Sequence, residues 1–149
     1  MGRFYGKFDY SIDAKGRVNI PAKFRKSLNP DASDTFIICQ GPGKCLRAYP
    51  QDLWGKYETE LASRRETPES LMAKRRILST ASDSTLDAQG RISLTPDQIA
   101  IAGIKKEVTL VGQIDYVEIW DTTRYSEALG SPDDFDAVYF QSVAPGFLK

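Results

Sequence analysis

The chain has 149 residues, 41% hydrophobic and 27% charged, which is the size and composition of one globular domain with a substantial core. Twenty Lys and Arg balance twenty Asp and Glu, and no apolar run approaches the roughly 18 residues of a membrane helix, so we expect a soluble protein with no membrane partner. The first residues lack the apolar core of a signal peptide, which predicts a cytoplasmic location.

The chain begins with alternating apolar and polar residues. They alternate over 8–12 and again over 17–20, on either side of a turn at Gly16, and this period of two predicts a half-buried hairpin. Pro21 then opens a short helix that runs to Leu28. We therefore expect a strand pair followed by one or two helical turns.

A second strand pair and a helix complete the first half. Residues 36–39 and 45–49 are apolar strands that flank a turn containing Gly41. The residues after them include Leu53, Trp54, Tyr57 and Leu61, which share one face of a helix. Pro68 begins the next helix, whose apolar residues are Leu71, Ile77 and Leu78 and whose other side carries Lys74, Arg75 and Arg76. We interpret these three cations as a solvated face rather than as a binding patch.

The second half repeats the same order of elements. Thr95-Pro96-Asp97-Gln98 has the form of a capping box, and Gly103 is suited to the end of that helix. Strands over 108–111 and 116–120 follow, and a helix then runs from 121 to about 129. The tail over 130–149 is acidic but contains four aromatic residues, which predicts a segment that docks on its own domain or on a neighbour.

An internal repeat underlies this order. Asp13-Ala14-Lys15-Gly16-Arg17 returns 74 residues later as Asp87-Ala88-Gln89-Gly90-Arg91, and the strand pairs that follow align at an offset of 71. We divide the single domain 1–149 into repeat one (about 4–62), a helical connection (about 63–80), repeat two (about 81–129) and a C-terminal tail (130–149). Because no flexible linker separates the repeats, the strands of one half are expected to complete the sheet of the other.

Charge is distributed unevenly between the two ends. Residues 1–28 carry seven basic and two acidic residues, a net charge of +5, whereas residues 107–149 carry two basic and eight acidic residues, a net charge of −6. A basic N-terminal part in a neutral chain indicates a surface that attracts phosphate.

Several kinds of chemistry are disfavoured. The chain contains no His, which removes every Ser-His or Cys-His nucleophile, so we do not expect an enzyme or a small-molecule substrate. Cys39 and Cys45 are too few for a typical zinc site, and we interpret them as small buried residues rather than as a disulfide or redox pair. No metal and no cofactor is predicted.

The repeated turn motif has two possible roles. Asp13 and Gly16 suit a tight turn, because the carboxylate accepts backbone N–H groups and glycine adopts conformations that other residues resist. Arg17 starts a strand whose Val18 and Ile20 point inward, so its guanidinium is expected on the solvent face. It could merely pair with Asp13, or its other donors could reach DNA. For Arg91, with less basic surroundings, we favour the structural role.

These two motifs resemble the MraZ family of bacterial transcriptional regulators. The resemblance covers about residues 4–129 and rests on the two Asp-Ala-x-Gly-Arg turns together with Val111-Gly112-Gln113 and Glu118-Ile119-Trp120-Asp121. It implies a mainly β (α+β) fold: a pseudo-twofold, swapped-hairpin, AbrB-like β-barrel made from two repeats, with connecting helices. Asn19 and the position of Pro96 depart slightly from the family pattern.

The resemblance also implies a function. It predicts a sequence-specific DNA-binding regulator, usually a repressor of the division and cell-wall gene cluster, that binds short direct repeats in double-stranded promoter DNA as a ring-shaped homo-oligomer on the nucleoid. The DNA contacts it implies are Lys15, Gly16 and Arg17, with Lys23, Arg25 and Lys26 on phosphates; Asp13, Asp87, Gly90 and Arg91 support the motif. The alternative is an AbrB-like, antitoxin-type module that acts by binding a protein partner.

Overall fold

The computed structural model describes residues 3–146, which form a mixed α+β fold, as predicted. The strands are β1 Lys7–Ser11, β2 Arg17–Asn19, β3 Thr35–Gly41, β4 Cys45–Pro50, β5 Ser82–Thr85, β6 Arg91–Ser93, β7 Glu107–Gly112 and β8 Val117–Asp121. The helices are α1 Ala22–Ser27, α2 Gln51–Ser63, α3 Pro68–Thr80, α4 Pro96–Ala102, α5 Thr122–Leu129 and α6 Phe135–Val138. Within the described part of the chain, no helix has the length and apolar character needed to cross a bilayer.

The two repeats exchange strands. A six-stranded antiparallel sheet has the order β1-β7-β8-β4-β3-β5, and a separate two-stranded sheet pairs β2 with β6. Strand β1 of repeat one therefore pairs with β7 of repeat two, while β5 of repeat two pairs with β3 of repeat one. The expectation that each half completes the sheet of the other is confirmed, and the pseudo-twofold passes between the central strands β4 and β8.

The predicted N-terminal hairpin is wrong in one respect. The turn at Gly16 forms, but β1 and β2 enter different sheets, and β2 pairs with β6 so that Val18 lies opposite Ile92. Alternation of apolar and polar residues predicts a strand and its buried face, but it does not identify the strand's partner. Because the sequence is duplicated, β6 has the same alternation as β2 and becomes its partner. The turn at Gly16 precedes β2, and the equivalent turn at Gly90 precedes β6.

Aromatic residues dominate the core of repeat one, while a polar residue replaces one of them in repeat two. Phe24 of α1 is fully buried and meets Phe4 and Phe8 edge to face. The residue 74 positions later is Gln98, which is also fully buried. Its amide nitrogen donates to three oxygens, which are Ile38 O, Thr80 O and Ser82 Oγ at 3.1, 2.8 and 2.9 Å. Gln98 thereby holds the end of α3 and the start of β5 against the central sheet.

The helix ends follow the predicted signals. Thr95 caps α4 in a full capping box with Gln98, and Gly103 ends the helix in the left-handed conformation. Helix α3 begins at Pro68 after the cap residue Thr67, as predicted. Its faces differ from the prediction, because Leu78 is exposed whereas Lys74 is partly covered and lies 3.7 Å from Glu66. The long methylene chain of a lysine can line an apolar surface while its ammonium group reaches an acid at the edge.

Most of the described C-terminal segment lies outside the core, although Ala144 is buried. Phe135 and Phe140 are 63% and 66% exposed. Tyr139 packs against these two rings and contacts no other aromatic ring among the described residues. These aromatic rings therefore do not dock on their own domain, and docking on a neighbouring molecule stays a prediction. Phe147, the fourth aromatic residue of the tail, lies outside the described residues.

Candidate nucleic-acid interface

The first repeated turn is closed by one carboxylate. Asp13 Oδ1 accepts the backbone N–H groups of Lys15 and Arg17 at 3.0 and 2.8 Å, and Oδ2 accepts Arg17 Nε at 2.6 Å. Gly16 N donates to Asp13 O at 3.0 Å, and Gly16 has a φ of +79°, which favours glycine. Asp and Gly therefore build the turn, and the same Asp orients the arginine.

The second turn has the same geometry. Asp87 Oδ1 accepts the backbone N–H groups of Gln89 and Arg91 at 2.9 Å each, and Oδ2 accepts Arg91 Nε at 2.8 Å. Gly90 has a φ of +75°. Hydrogen bonds from Arg17 N and Arg91 N, opposed by partial desolvation and reinforced by each arginine side chain, lower the pKa of Asp13 and of Asp87 below the usual range of a carboxyl group.

The two-stranded sheet brings both arginines to one face. Arg17 and Arg91 flank the antiparallel pair β2·β6, in which Val18 and Ile92 lie opposite each other and are fully buried. Side chains alternate along a strand, so the residues before and after Val18 and Ile92 point to the other side. We call this outer side the β2·β6 face; its four residues are Arg17, Asn19, Arg91 and Ser93.

Asn19 and Ser93 were not among the predicted site residues. Both are exposed and lie on the same face as the two arginines. The strand alternation and the 74-residue offset together contain the signal that identifies them. The sequence alone did not show that the two strands are neighbours, so the four residues could not be assembled into one surface.

One carboxylate connects the two turns. Arg91 Nη1 lies 3.8 Å from Asp13 Oδ2, in addition to the bond between Arg91 and Asp87. Within residues 3–146 Arg17 has only the Asp13 carboxylate as an ion-pair partner, and it uses Nε for that bond. The terminal amino groups of Arg17 therefore form no hydrogen bond with the described residues, and they can donate to an external acceptor.

Arg25 of α1 lies at the second turn, whereas the sequence had suggested that it lies at the first. Arg25 donates from Nε to Ile20 O at 3.1 Å and lies over the second turn, where a Cβ built on Gly90 would be 2.6 Å from Arg25 Nη1. Its repeat-two equivalent, Ile99, lies against Gly16 of the first turn. The crossing of the repeats is the physical reason, because each helix packs on the turn of the other half.

The other predicted cations, Lys15, Lys23 and Lys26, are exposed, and Lys23 Nζ extends toward Gly6, just before β1. Gly16 is buried, whereas Lys15 beside it is exposed. Three of the six predicted contacts thus belong to the first turn, while Arg25 lies at the second.

In the described residues the two cysteines are buried, and the acids form no cluster that could hold a metal ion. Cys39 and Cys45 are free and fully buried, and burial raises the pKa of both thiols to about 12, which makes them poor nucleophiles. In the described part of the chain, no three His, Cys, Asp or Glu residues lie close enough together to hold a metal ion.

Comparisons with known proteins identify the family. The family model described as "MraZ protein, putative antitoxin-like" matches residues 4–76 and again 77–134. The chain is 36% identical over 123 residues to the transcriptional regulator MraZ of Nitrosomonas europaea, covering 82% of this chain and 83% of that protein. It is 38% identical over 128 residues to its namesake in Acidithiobacillus ferrooxidans, covering 82% and 85%.

A third relative, the transcriptional regulator MraZ of Acetivibrio thermocellus, is 36% identical over 128 residues, which cover 85% of this chain and 87% of that protein. All three names are those of regulators rather than of enzymes, in agreement with the prediction that this is no enzyme. The resemblance inferred from the two Asp-Ala-x-Gly-Arg turns is confirmed, and the chain belongs to the MraZ family.

Proposed function

We propose that this protein is a sequence-specific DNA-binding transcriptional regulator and that the β2·β6 face contacts the duplex. The observation that carries the proposal is the presence of Arg17 and Arg91 on one face, each oriented by a carboxylate through Nε. The names of the curated relatives support the regulatory role. Binding to promoter DNA would bring the protein to the nucleoid in the cytoplasm.

The shape of the face supports contact in the major groove. B-DNA has a major groove about 12 Å wide, which admits a two-stranded β-ribbon. An arginine whose Nε is held by a carboxylate still has donors for the O6 and N7 acceptors of guanine. In this proposal Arg17 and Arg91 read bases, while Asn19 and Ser93 line the same ribbon between them.

The surrounding cations support binding of the backbone. Phosphate contacts provide affinity without sequence information, and lysine and arginine supply most of them. Lys15 stands at the first turn, Arg25 lies over the second, and Lys23 and Lys26 are exposed on α1. We therefore assign DNA contact to both turns instead of to the first alone.

Oligomerisation would resolve the low net charge. A protomer with a net charge of zero and a few exposed cations should bind DNA weakly. A ring of protomers on direct repeats about 10 base pairs apart would present each protomer with the same groove face, and linked sites can raise avidity by about a hundredfold or more. We propose such a ring, acting as a repressor on repeats upstream of the protein's own operon.

A gel-shift titration with duplex DNA from upstream of the protein's own gene tests the interface. Arg17→Ala and Arg91→Ala should each weaken binding by roughly tenfold or more, because each removes a charge-assisted contact. The matched control is Arg75→Gln, which removes an exposed arginine of α3 outside the β2·β6 face and should bind like the wild type. Size-exclusion chromatography should show unchanged assembly; unaltered binding by both alanine variants would refute the site.

A second titration tests the ring and the alternative function. Duplexes with one, two and three repeats should bind with increasing affinity; equal affinity for all three would contradict cooperative binding by linked protomers. The family description as antitoxin-like keeps a protein partner as the alternative. Absence of any preference for the upstream DNA over a scrambled duplex of equal length would favour that alternative.

A further inference from the structure

A cavity beside strand β4 is lined by basic and aromatic residues. It has a volume of about 190 Å³ and lies between β4, α2 and the turn that joins β7 to β8. Its lining combines three tyrosines, two cations, two acids and a leucine, which are Tyr49, Tyr57, Tyr116, Arg47, Lys56, Glu60, Asp115 and Leu53. We call it the Arg47 cavity.

Arg47 forms no ion pair with any of the described residues. Arg47 Nη1 donates to the hydroxyl of Tyr49 at 3.0 Å, and Arg47 Cζ lies 4.4 Å from the centre of the Tyr116 ring. Arg47 Nε is buried without a hydrogen-bond partner, and no carboxylate lies within 4.0 Å of the guanidinium in the described residues. The neighbours of this partly buried cation are thus neutral aromatic groups.

The carboxylate that faces Arg47 is engaged elsewhere. Glu118 lies opposite Arg47 in the register of β4 and β8. Glu118 Oε1 instead accepts Gln113 Nε2 and Trp120 Nε1, both at 3.1 Å. A partly buried charge without a counter-ion is costly, and an anion that enters the cavity would relieve this cost.

The equivalent position in repeat two carries different side chains. At the offset of 71, Tyr49 corresponds to Trp120, and the edge of the Trp120 indole lies against Gly43, 3.1 Å from an ideal Cβ at that residue. Repeat one therefore has an arginine and a tyrosine where repeat two has a glutamate and a tryptophan.

We propose that the Arg47 cavity binds a small organic anion, with its carboxylate or phosphate group on Arg47 and its body against the tyrosine rings. The cavity equals the liquid volume of about six water molecules, so the ligand is compact. Tyr49 and Tyr57 stack at 4.5 Å and Tyr49 lies 5.0 Å from Tyr116, which provides apolar walls. Lys56 adds a second cation at the mouth, where the exposed acids Glu60 and Asp115 also lie and disfavour ligands with extended negative charge.

Isothermal titration of the full-length protein with three probes tests this site. The probes are inorganic phosphate, acetate and benzoate, which separate phosphate from carboxylate chemistry and a small body from an aromatic one. At least one should bind saturably, and Arg47→Gln should weaken that binding by about tenfold or more. Arg75→Gln removes the same charge outside the cavity and should bind like the wild type.

A spectroscopic measurement locates the bound probe and does not depend on the Arg47 variant. In a protein labelled on its tyrosine rings, the NMR signals of Tyr49, Tyr57 and Tyr116 should shift with the probe, whereas those of Tyr139 in the C-terminal tail, which does not line the cavity, should not. If Arg47→Gln fails to fold, Lys56→Gln at the exposed mouth should weaken binding several-fold. Absence of saturable binding by all three probes, or equal loss in the Arg47 and Arg75 variants, would overturn the proposal. None of these outcomes depends on whether the protein binds DNA.

Discussion

The guanidinium of Arg91 lies 3.8 Å from the carboxylate of Asp13, although the two residues belong to different copies of the repeated turn. Asp13 is therefore shared by Arg17 and Arg91, whereas Asp87 has only Arg91 as a recorded ion-pair partner in the described residues. The two turns have the same internal hydrogen bonds but differ in the number of arginines that lie near their carboxylate.

Replacement of Asp13, the shared carboxylate, should affect DNA binding and stability more than replacement of Asp87. Asp13→Asn removes the counter-charge of two arginines, while Asp87→Asn leaves Arg91 with Asp13. We expect Asp13→Asn to lower the affinity for promoter DNA, and the thermal unfolding midpoint, more than Asp87→Asn. Gel-shift titration and differential scanning calorimetry on the two variants measure this, and equal effects would contradict the shared role.

The turns should also confer an acid sensitivity. The pKa values of Asp13 and Asp87 are lower in the folded protein than the ordinary 3.8, chiefly because of hydrogen bonds from Arg17 N and Arg91 N. A carboxyl group with a lowered folded-state pKa contributes stability above its unfolded pKa and loses it as pH falls through the folded value. The unfolding midpoint should therefore drop as pH falls below about 4, and less steeply in Asp13→Asn/Asp87→Asn. Parallel pH profiles for the wild type and the double variant would rule this out.

Substitution of alanine should destabilise the protein to different extents at Gly16 and at Gly90. Both have positive φ, so alanine costs about 1–2 kcal/mol of unfolding free energy at either site. At Gly16 the new Cβ also meets the backbone oxygen of Leu94 at 2.8 Å, whereas at Gly90 it meets the flexible side chain of Arg25. Urea unfolding should show the larger loss for Gly16→Ala. Combining Gly90→Ala with Arg25→Ala should cost less than the sum of the two single changes, since the shortened side chain removes the collision.

The buried amide of Gln98 should contribute more to the free energy of unfolding than the Thr95 cap of helix α4. Gln98→Leu leaves the carbonyl groups of Ile38 and Thr80 without this donor, which we expect to cost about 2 kcal/mol or more of unfolding free energy. Thr95→Ala removes only the cap and should cost about 1 kcal/mol. Chemical denaturation of both variants compares them; a smaller loss for Gln98→Leu would show that those carbonyls find other partners.

Salt dependence should separate base contacts from phosphate contacts. If Lys26 contacts a phosphate, Lys26→Gln should reduce the slope of log affinity against log salt by about 0.9 and weaken all duplexes equally. If Arg17 reads a base, Arg17→Ala should instead reduce the preference for the promoter repeats over scrambled DNA. Titrations at several salt concentrations on both duplexes distinguish these effects. A salt response that is flat for the wild type would contradict phosphate binding altogether.

The turns and helix ends could be predicted because the residues that form them are close in sequence. Asp13 closes a turn with Lys15 and Arg17, and Thr95 caps a helix that begins at the next residue. The existence of a duplicated fold also followed, since the same order of elements occurs twice, while the fold class came from the resemblance to the MraZ family. Lys74 was assigned to the wrong face of α3, because helical spacing does not indicate which residues the rest of the chain will cover.

The candidate site could be predicted only in parts. Arg17 was identified with its carboxylate, but the basic surroundings assigned to it lie partly at the second turn, where Arg25 covers Gly90. Asn19 and Ser93 were missed because their common face exists only once β2 pairs with β6. Arg47 drew no attention in the sequence, since a single arginine in a strand gives no sign that its carboxylate neighbour binds elsewhere.

The sequence by itself determined the two turns, the caps, the alternation of the strands and the existence of a duplicated fold, because those depend on residues a few positions apart or on repetition that is visible in the letters. Only the tertiary structure decided which strand pairs with which, that α1 covers the turn of the other repeat, and that Asp13 contacts two arginines. The physical reason is that strand pairing and side-chain contact between distant segments depend on the whole core, in which the two similar repeats had more than one possible partner.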